Sequence, residues 1–179
     1  QAYINSTRAI TGQTAKFVDK MPLNVLYTGF ILQALPEAKV VCLDRNPLDT
    51  IVSNFRQLFA VNFSYYNYAY DLKTTAQFYC LFRELVQLWQ AEFPGNFYLV
   101  NYEKLVNEPE QEARKLVKFC GLDWQEQCLN INDNTAPVAT ASAVQVRQPI
   151  NNKSVGNWRK YQDYLADTIQ LLDRAGIDY

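Results

Sequence analysis

The stretch Lys39-Val-Val-Cys-Leu-Asp-Arg-Asn-Pro47 decides the fold class of this chain. Its first six residues are a short apolar run of the kind that forms a buried strand. Asn46 and Pro47 then favour a helix start, since Asn is a good N-cap and Pro suits the first helical position. A second run, Asn96-Phe-Tyr-Leu-Val-Asn101, follows the turn signal Pro94-Gly95. Strands that lead into helices are typical of β-α units and a mostly parallel sheet.

Helical patterns fill the intervals between these runs. Apolar residues recur at helical spacing in residues 23–35, 47–58, 72–93, 109–119 and 158–175. A weaker third strand is predicted at residues 15–19, where it stops at Lys20-Met-Pro22. The sequence therefore predicts an α/β fold in which a parallel sheet is flanked by helices.

Length and charge narrow the class of protein. The chain has 179 residues, of which 17 are Lys or Arg and 18 are Asp or Glu, for a net charge of −1. This size predicts one domain over residues 1–179. The charge balance argues against a broad binding surface for nucleic acid or for an anionic membrane. No apolar run approaches the ~20 residues of a membrane span and no signal peptide is visible, so we expect a cytoplasmic protein without a membrane span.

The chain contains no histidine. This excludes Ser-His-Asp and Cys-His catalysis and any histidine base or metal ligand within these residues. The four cysteines form no C-x-x-C pair, so we expect no metal.

The strand ends carry the candidate functional residues. Ligands of parallel sheets bind beyond the carboxyl ends of the strands. Arg45 follows the first strand, and Ser53 lies in the helix after it. An Arg beside a helix N-terminus, with a hydroxyl one to two turns further on, makes a pocket for an anion. The alternative is an Arg45 that is paired with Asp44 or Asp49, and spacing alone does not choose between them.

Several segments then resemble one family. Arg45-Asn-Pro-Leu-Asp-Thr-Ile-Val-Ser53 resembles the 3′-phosphate-binding motif of sulfotransferases that use 3′-phosphoadenosine 5′-phosphosulfate (PAPS). The similarity is closest to tetratricopeptide-linked sulfotransferases and more distant to tyrosylprotein sulfotransferases. Further matching segments follow in family order: Lys16-Phe-Val-Asp-Lys-Met-Pro22, Asn101-Tyr-Glu-Lys-Leu-Val106, Val117-Lys-Phe-Cys-Gly-Leu-Asp-Trp124, Thr140-Ala-Ser-Ala-Val-Gln-Val-Arg-Gln-Pro-Ile150 and Ser154-Val-Gly-Asn-Trp158.

The resemblance implies a site and a reaction. Its catalytic residues would be Lys20, which stabilises the transferring sulfuryl group, and Ser142. Its contacts to PAPS, or to the product adenosine 3′,5′-bisphosphate (PAP), would be Arg45 and Ser53 at the 3′-phosphate, with Tyr102, Gln145, Arg147 and Asn151. The acceptor would be a hydroxyl group of a peptide tyrosine, a carbohydrate or a small alcohol. No metal is required, and the proton acceptor would be a carboxylate.

The family's Gly-rich phosphosulfate loop has no match. Gly12-Gln-Thr14 is too short and follows no apolar strand, and Thr28-Gly29 lies inside a helical pattern. The resemblance therefore implies the C-terminal portion of a P-loop-NTPase-like sulfotransferase domain, without its first strand and that loop. N-terminal helical repeats would be a possible partner in the full-length protein. The alternative function is a non-catalytic fragment, or a nucleotide-binding or interaction module, that keeps only the core of the fold.

The aromatic run over residues 59–70 has two interpretations. It could line an acceptor site, or it could be a packed loop that caps the long helix at 72–93. The second is favoured, because aromatic side chains mostly serve to bury area.

Overall fold

The computed structural model describes residues 2–12, 14–59, 62, 64–130 and 150–179. Two strands, β1 (Val40–Asp44) and β2 (Phe97–Asn101), pair in parallel. Val40 lies opposite Phe97, and Asp44 lies opposite Asn101. The predicted α/β class, with a parallel sheet flanked by helices, is confirmed.

Helices make up most of the described chain. The α-helices are α1 (Ala2–Thr11), α2 (Thr28–Ala34), α3 (Pro47–Arg56), α4 (Leu72–Glu92), α5 (Tyr102–Asn107), α6 (Pro109–Phe119) and α7 (Ala166–Arg174). Shorter 3₁₀ helices cover Pro22–Tyr27, Ser64–Tyr70, Glu126–Leu129 and Asn157–Tyr164.

Two predicted helices differ from the structure. The pattern at 23–35 divides into a 3₁₀ helix and α2, and the pattern at 158–175 divides into a 3₁₀ helix and α7. In the second case Trp158 and Tyr161, three residues apart, both pack against the core. A spacing of three suits the 3₁₀ helix, in which residues i and i+3 are eclipsed, so the apolar pattern resembled an α-helix.

The predicted third strand at 15–19 is wrong. These residues have no regular structure, and Val18 is 91% exposed. Side chains hold the segment instead: Lys16 Nζ donates to the carbonyls of Cys120 and Gly121 at 3.0 and 2.8 Å, and the hydroxyl of Tyr3 donates to Asp19 Oδ2 at 2.5 Å. A strand requires a partner for its backbone groups, and none of the described residues provides one here.

The main core lies between α3, α4 and α7. Its buried members are Leu48, Ile51, Val52, Ala76, Tyr79, Leu165 and Leu172. A second cluster of Val25, Val86 and Phe97 packs α4 and the first 3₁₀ helix onto one face of the sheet. These two clusters fix α3 relative to β1 and so determine where Arg45, between them, is held.

The other face of β1 is uncovered in the described part of the chain. Val41 is 42% exposed and Leu43 is 53% exposed. Among the described residues, β1 pairs only with β2, so its second edge presents backbone N–H and C=O groups without a strand partner.

Candidate functional site

The register of the sheet brings the two predicted strand ends together. Because Asp44 lies opposite Asn101, the next residues, Arg45 and Tyr102, emerge side by side at the carboxyl edge. The guanidinium carbon of Arg45 lies 5.0 Å from the centre of the Tyr102 ring. This distance is within the range of a cation–π contact. The structure therefore brings these two candidate site residues together at one edge of the sheet.

The start of α3 lies at the same edge. The side chain of Asn46 caps the helix, with Oδ1 accepting from the backbone N–H of Asp49 at 3.1 Å. Glu103 Oε1 accepts from the backbone N–H of Asn46 at 2.9 Å, which ties the cap to α5. The start of α3 therefore stands beside the Arg45 cation, and the positive end of a helix dipole next to a guanidinium is a combination that favours an anion.

The guanidinium of Arg45 is held by protein acceptors, with its side chain 22% exposed. Nη2 donates to the carbonyl of Ser154 and lies 3.6 Å from Asp49 Oδ2. Nε is buried and has no hydrogen-bond partner in the described part of the chain. Of the two proposed carboxylate partners, Asp49 is confirmed and Asp44 is wrong, because Asp44 pairs with Arg83 at 2.7 Å.

Asp49 is the most buried charged residue of the site. It is 2% exposed, and its carboxylate accepts two backbone N–H groups, from Trp158 to Oδ1 at 2.9 Å and from Gly156 to Oδ2 at 2.6 Å. The sequence suggested Asp49 only as a local partner of Arg45, four residues earlier. Its attachment to residues 107 and 109 positions later was missed.

The remaining predicted site residues are less closely associated. Ser53 lies on α3 one turn after Asp49 and is exposed; within the described chain it forms no hydrogen bond with Arg45. Lys20 is exposed in the irregular segment before Pro22, and no described contact joins it to Arg45 or Tyr102. Asn151 is exposed and its Oδ1 accepts from the backbone N–H of Lys153 at 3.2 Å. Three predicted residues lie outside the described chain: Ser142, Gln145 and Arg147.

Two ionisable groups beneath the site are held neutral. Burial, followed by the nearby Asp44 carboxylate, raises the pKa of the Cys42 thiol to about 11. Burial also raises the pKa of Tyr79, whose hydroxyl donates to the carbonyl of Arg45 at 3.3 Å. The charged groups of this edge are therefore the Arg and carboxylate side chains, and Tyr79 supports the backbone of Arg45 as a neutral donor.

The aromatic run packs against α4, as the favoured interpretation predicted. Tyr68 stacks on Phe78 with ring centres 3.8 Å apart, and its carbonyl accepts from the hydroxyls of Thr74 and Thr75 at 2.8 and 3.0 Å. Phe59 and Tyr66 also stack, at 4.4 Å. The described part of this run is a packed cap on the long helix.

The described residues were compared with two kinds of feature, a membrane-spanning helix and a cluster of metal ligands, and lack both. They contain no helix both long and apolar enough to cross a bilayer. They also contain no group of three or more Cys, Asp or Glu side chains arranged to hold a metal ion.

Known proteins resemble this chain over most of its length. A protein of Aquifex aeolicus (strain VF5) named "Uncharacterized protein" is 38% identical over 175 residues, which are 98% of this chain and 23% of that protein. A Caenorhabditis briggsae protein named "Putative protein-tyrosine sulfotransferase" is 25% identical, covering 96% of this chain and 62% of the relative. The "Protein-tyrosine sulfotransferase" of Drosophila melanogaster is 22% identical, covering 80% of this chain and 30% of that relative.

The chain thus spans less than two thirds of the length of each of these relatives. The model of the "Sulfotransferase family" matches residues 1–126, which include Arg45, Ser53 and Tyr102. With this match over more than half of its residues, the chain belongs to the sulfotransferase family.

Proposed function

We propose that this chain supplies the nucleotide 3′-phosphate site, and part of the catalytic wall, of an enzyme that transfers a sulfuryl group from PAPS to a hydroxyl acceptor. The observation that carries the proposal is Arg45, held between the first turn of α3 and the ring of Tyr102, with a buried Nε for which the described residues provide no partner. Family membership supports sulfuryl transfer, and the chemistry of Arg45 supports a phosphate-bearing donor.

The residues fit a phosphate group. A guanidinium is permanently charged and offers planar, paired N–H donors that match phosphate oxygens. Each charge-assisted hydrogen bond contributes on the order of 1.5–3 kcal/mol. The Tyr102 ring restricts the plane of the guanidinium, and the Ser53 hydroxyl is the proposed neutral donor further along α3.

The catalytic roles are also proposals. When bound, PAPS supplies an activated sulfuryl group on a phosphate leaving group. We assign Lys20, whose side chain is exposed, to offset the negative charge that develops on that phosphate. Because the chain has no histidine, acceptance of the hydroxyl proton is assigned to a carboxylate. Ser142, Gln145, Arg147 and Asn151 keep their predicted roles near the donor.

We further propose that residues 1–179 are part of one domain whose sheet is completed by other residues of the protein. The support is that, among the described residues, the second edge of β1 has no strand partner and Val41 and Leu43 are exposed on one of its faces. A two-stranded sheet is marginal without added strands or helices on its faces. The added segment would carry the Gly-rich phosphosulfate loop. Among the three predicted acceptors, the names of the insect and nematode relatives favour peptide tyrosine.

Binding of PAP tests the nucleotide site. We expect the full-length protein to bind PAP in isothermal titration calorimetry and Arg45→Ala to weaken that binding by more than about 100-fold, because two charge-assisted hydrogen bonds are lost. Arg45→Lys keeps the charge and loses the fork, so about tenfold is expected. Arg56→Ala is the matched control on the same helix, since Arg56 stacks on Tyr161 instead. Absence of PAP binding by the unmutated chain would contradict the proposal.

Turnover tests the catalytic assignment and separates it from the alternative of a binding module. In the full-length protein, transfer of labelled sulfate from PAPS to tyrosine peptides should fall strongly in Lys20→Ala, while PAP affinity stays within about twofold. Unchanged turnover would remove Lys20 from the mechanism. PAP binding with no transfer to peptide, carbohydrate or alcohol acceptors would favour the binding module.

A further inference from the structure

The carboxylate of Asp49 attaches the start of α3 to a distant stretch of chain. Its two oxygens accept the backbone N–H groups of Gly156 at 2.6 Å and of Trp158 at 2.9 Å. We call residues 154–158 the tied stretch. With a side chain that is 1% exposed, Asp49 is shielded from water, and buried carboxylates are rare unless such partners hold them.

Arg45 contacts the same stretch from the strand end. Its Nη2 donates to the carbonyl of Ser154 and lies 3.6 Å from Asp49 Oδ2. The end of β1, the start of α3 and the tied stretch are therefore joined through the side chains of Arg45 and Asp49. Gly156 suits this position because its φ is +71°, in the left-handed region where a side chain is strained.

A carboxylate next to an arginine that binds phosphate needs an explanation. By its charge alone, Asp49 weakens the attraction of Arg45 for an anion. Its geometry acts in the other direction, since it holds the tied stretch in the position from which the Ser154 carbonyl fixes the guanidinium. Charge and geometry thus predict opposite effects of removing Asp49 on phosphate binding.

We infer that Asp49 is a positioning residue for the 3′-phosphate: it seats the tied stretch against α3 and thereby orients Arg45. The inference rests on the proposed function, because it assumes that Arg45 binds a nucleotide phosphate. It goes further in making the affinity of that site depend on residues 154–158, which lie more than 100 positions from Arg45 in sequence.

Three variants separate positioning from charge. Asp49→Asn removes the charge and turns an N–H donor toward one of the two backbone N–H groups. Asp49→Glu keeps the charge and shifts it by one methylene. Gly156→Ala displaces the tied stretch and leaves Asp49 untouched. If Asp49 positions Arg45, all three variants should weaken 3′-phosphate binding by about tenfold. A tenfold loss is close to the contribution of one charge-assisted hydrogen bond between Arg45 and the phosphate.

A comparison of 3′-phosphate with 5′-phosphate nucleotides distinguishes a general loss of structure from a loss of Arg45 positioning. Binding of adenosine 3′-monophosphate, adenosine 5′-monophosphate and PAP is measured by calorimetry with the full-length protein, at a temperature where circular dichroism shows every variant to be folded. We expect weaker binding of the two 3′-phosphate nucleotides and unchanged binding of the 5′-monophosphate. Glu112→Gln is the matched control, because Glu112 is also a buried carboxylate in a helix, 6% exposed and paired with Lys115 at 2.6 Å on α6.

A second measurement reads the attachment without any ligand. Amide hydrogen exchange at Gly156 or Trp158 should accelerate in Asp49→Asn and stay unchanged at both residues in Glu112→Gln, because only the first variant replaces one of the two acceptor oxygens of these N–H groups. If Asp49→Asn does not fold, Gly156→Ala and Asp49→Glu carry the comparison.

The outcomes distinguish two failures. If the unmutated chain binds no 3′-phosphate nucleotide, the proposed function fails and this inference fails with it. If the unmutated chain binds PAP and the variants bind it equally well or more tightly, only the positioning role is overturned. Equal losses for 3′- and 5′-nucleotides would also overturn it, since they would indicate a general structural effect.

Discussion

Replacing Tyr102 by Leu removes the ring against which the Arg45 guanidinium lies and keeps an apolar side chain of similar bulk at the start of α5. The guanidinium carbon is 5.0 Å from the ring centre, and the Arg45 side chain is 22% exposed. The contact is therefore neither fully hydrated nor fully buried, and its contribution should fall between the values for those two situations.

The expected size follows from that intermediate exposure. Cation–π contacts contribute about 0.5–1 kcal/mol at exposed sites and about 2 kcal/mol when water is excluded. We take about 1 kcal/mol for Arg45 and Tyr102, which corresponds to about a fivefold rise in the Kd for PAP. Tyr102→Phe keeps the ring, so its Kd should stay within about twofold of the unmutated value.

Calorimetric titration of PAP into the three proteins measures these ratios directly. Tyr98→Leu is the control: Tyr98 lies on β2, the strand that leads into Tyr102, and stacks on Phe119 with ring centres 5.0 Å apart, so its loss should lower Tm and leave the Kd unchanged. An unchanged Kd for Tyr102→Leu would refute the reasoning. Equal weakening by Tyr102→Phe and Tyr102→Leu would also refute it, because the hydroxyl and not the ring would then be responsible.

Three further predictions concern stability and reactivity. Ile51→Ala should lower the free energy of unfolding by about 3 kcal/mol in urea titrations, since Ile51 is 0% exposed in the main core; a loss below about 1 kcal/mol would contradict this. Cys42, with a pKa of about 11, should resist iodoacetamide at pH 8 while the exposed Cys128 reacts, as followed by mass spectrometry; equal labelling would count against the burial of Cys42. The raised pKa of Tyr79 means that the folded chain keeps the phenol proton above the ordinary pKa of 10.0, so stability from this group is present below pH 10 and lost above it. Relative to Tyr79→Phe, the unmutated chain should therefore lose stability above pH 10, and a constant difference across that range would disprove the assignment.

The elements that carry Arg45 could be predicted because their determinants are local in sequence. The Asn46-Pro47 signal ends β1 and starts α3, and the structure places that boundary within one residue of the prediction. The parallel register of β1 with β2 then brings Arg45 and Tyr102 to one edge.

The contacts that were missed join residues far apart in sequence. Nothing in the pattern around Asp49 indicates that Gly156 and Trp158 donate to it, because periodicity reports which face of an element is buried and not what covers it. The segment at 15–19 failed for a related reason: an apolar alternation predicts a strand only if a neighbouring strand accepts its hydrogen bonds.

The participation of α7 in the main core has a consequence for synthesis on the ribosome. Leu48 and Ile51 share their cluster with Ala76 and Tyr79 of α4 and with Leu165 and Leu172, which are translated last among these residues. At ~5–20 residues per second, the interval between Leu48 and Leu172 takes roughly 6 to 25 s. Throughout that interval the side of the cluster that Leu165 and Leu172 cover stays open. The nascent chain therefore needs protection from aggregation, and this core closes only after Leu172 has emerged from the exit tunnel.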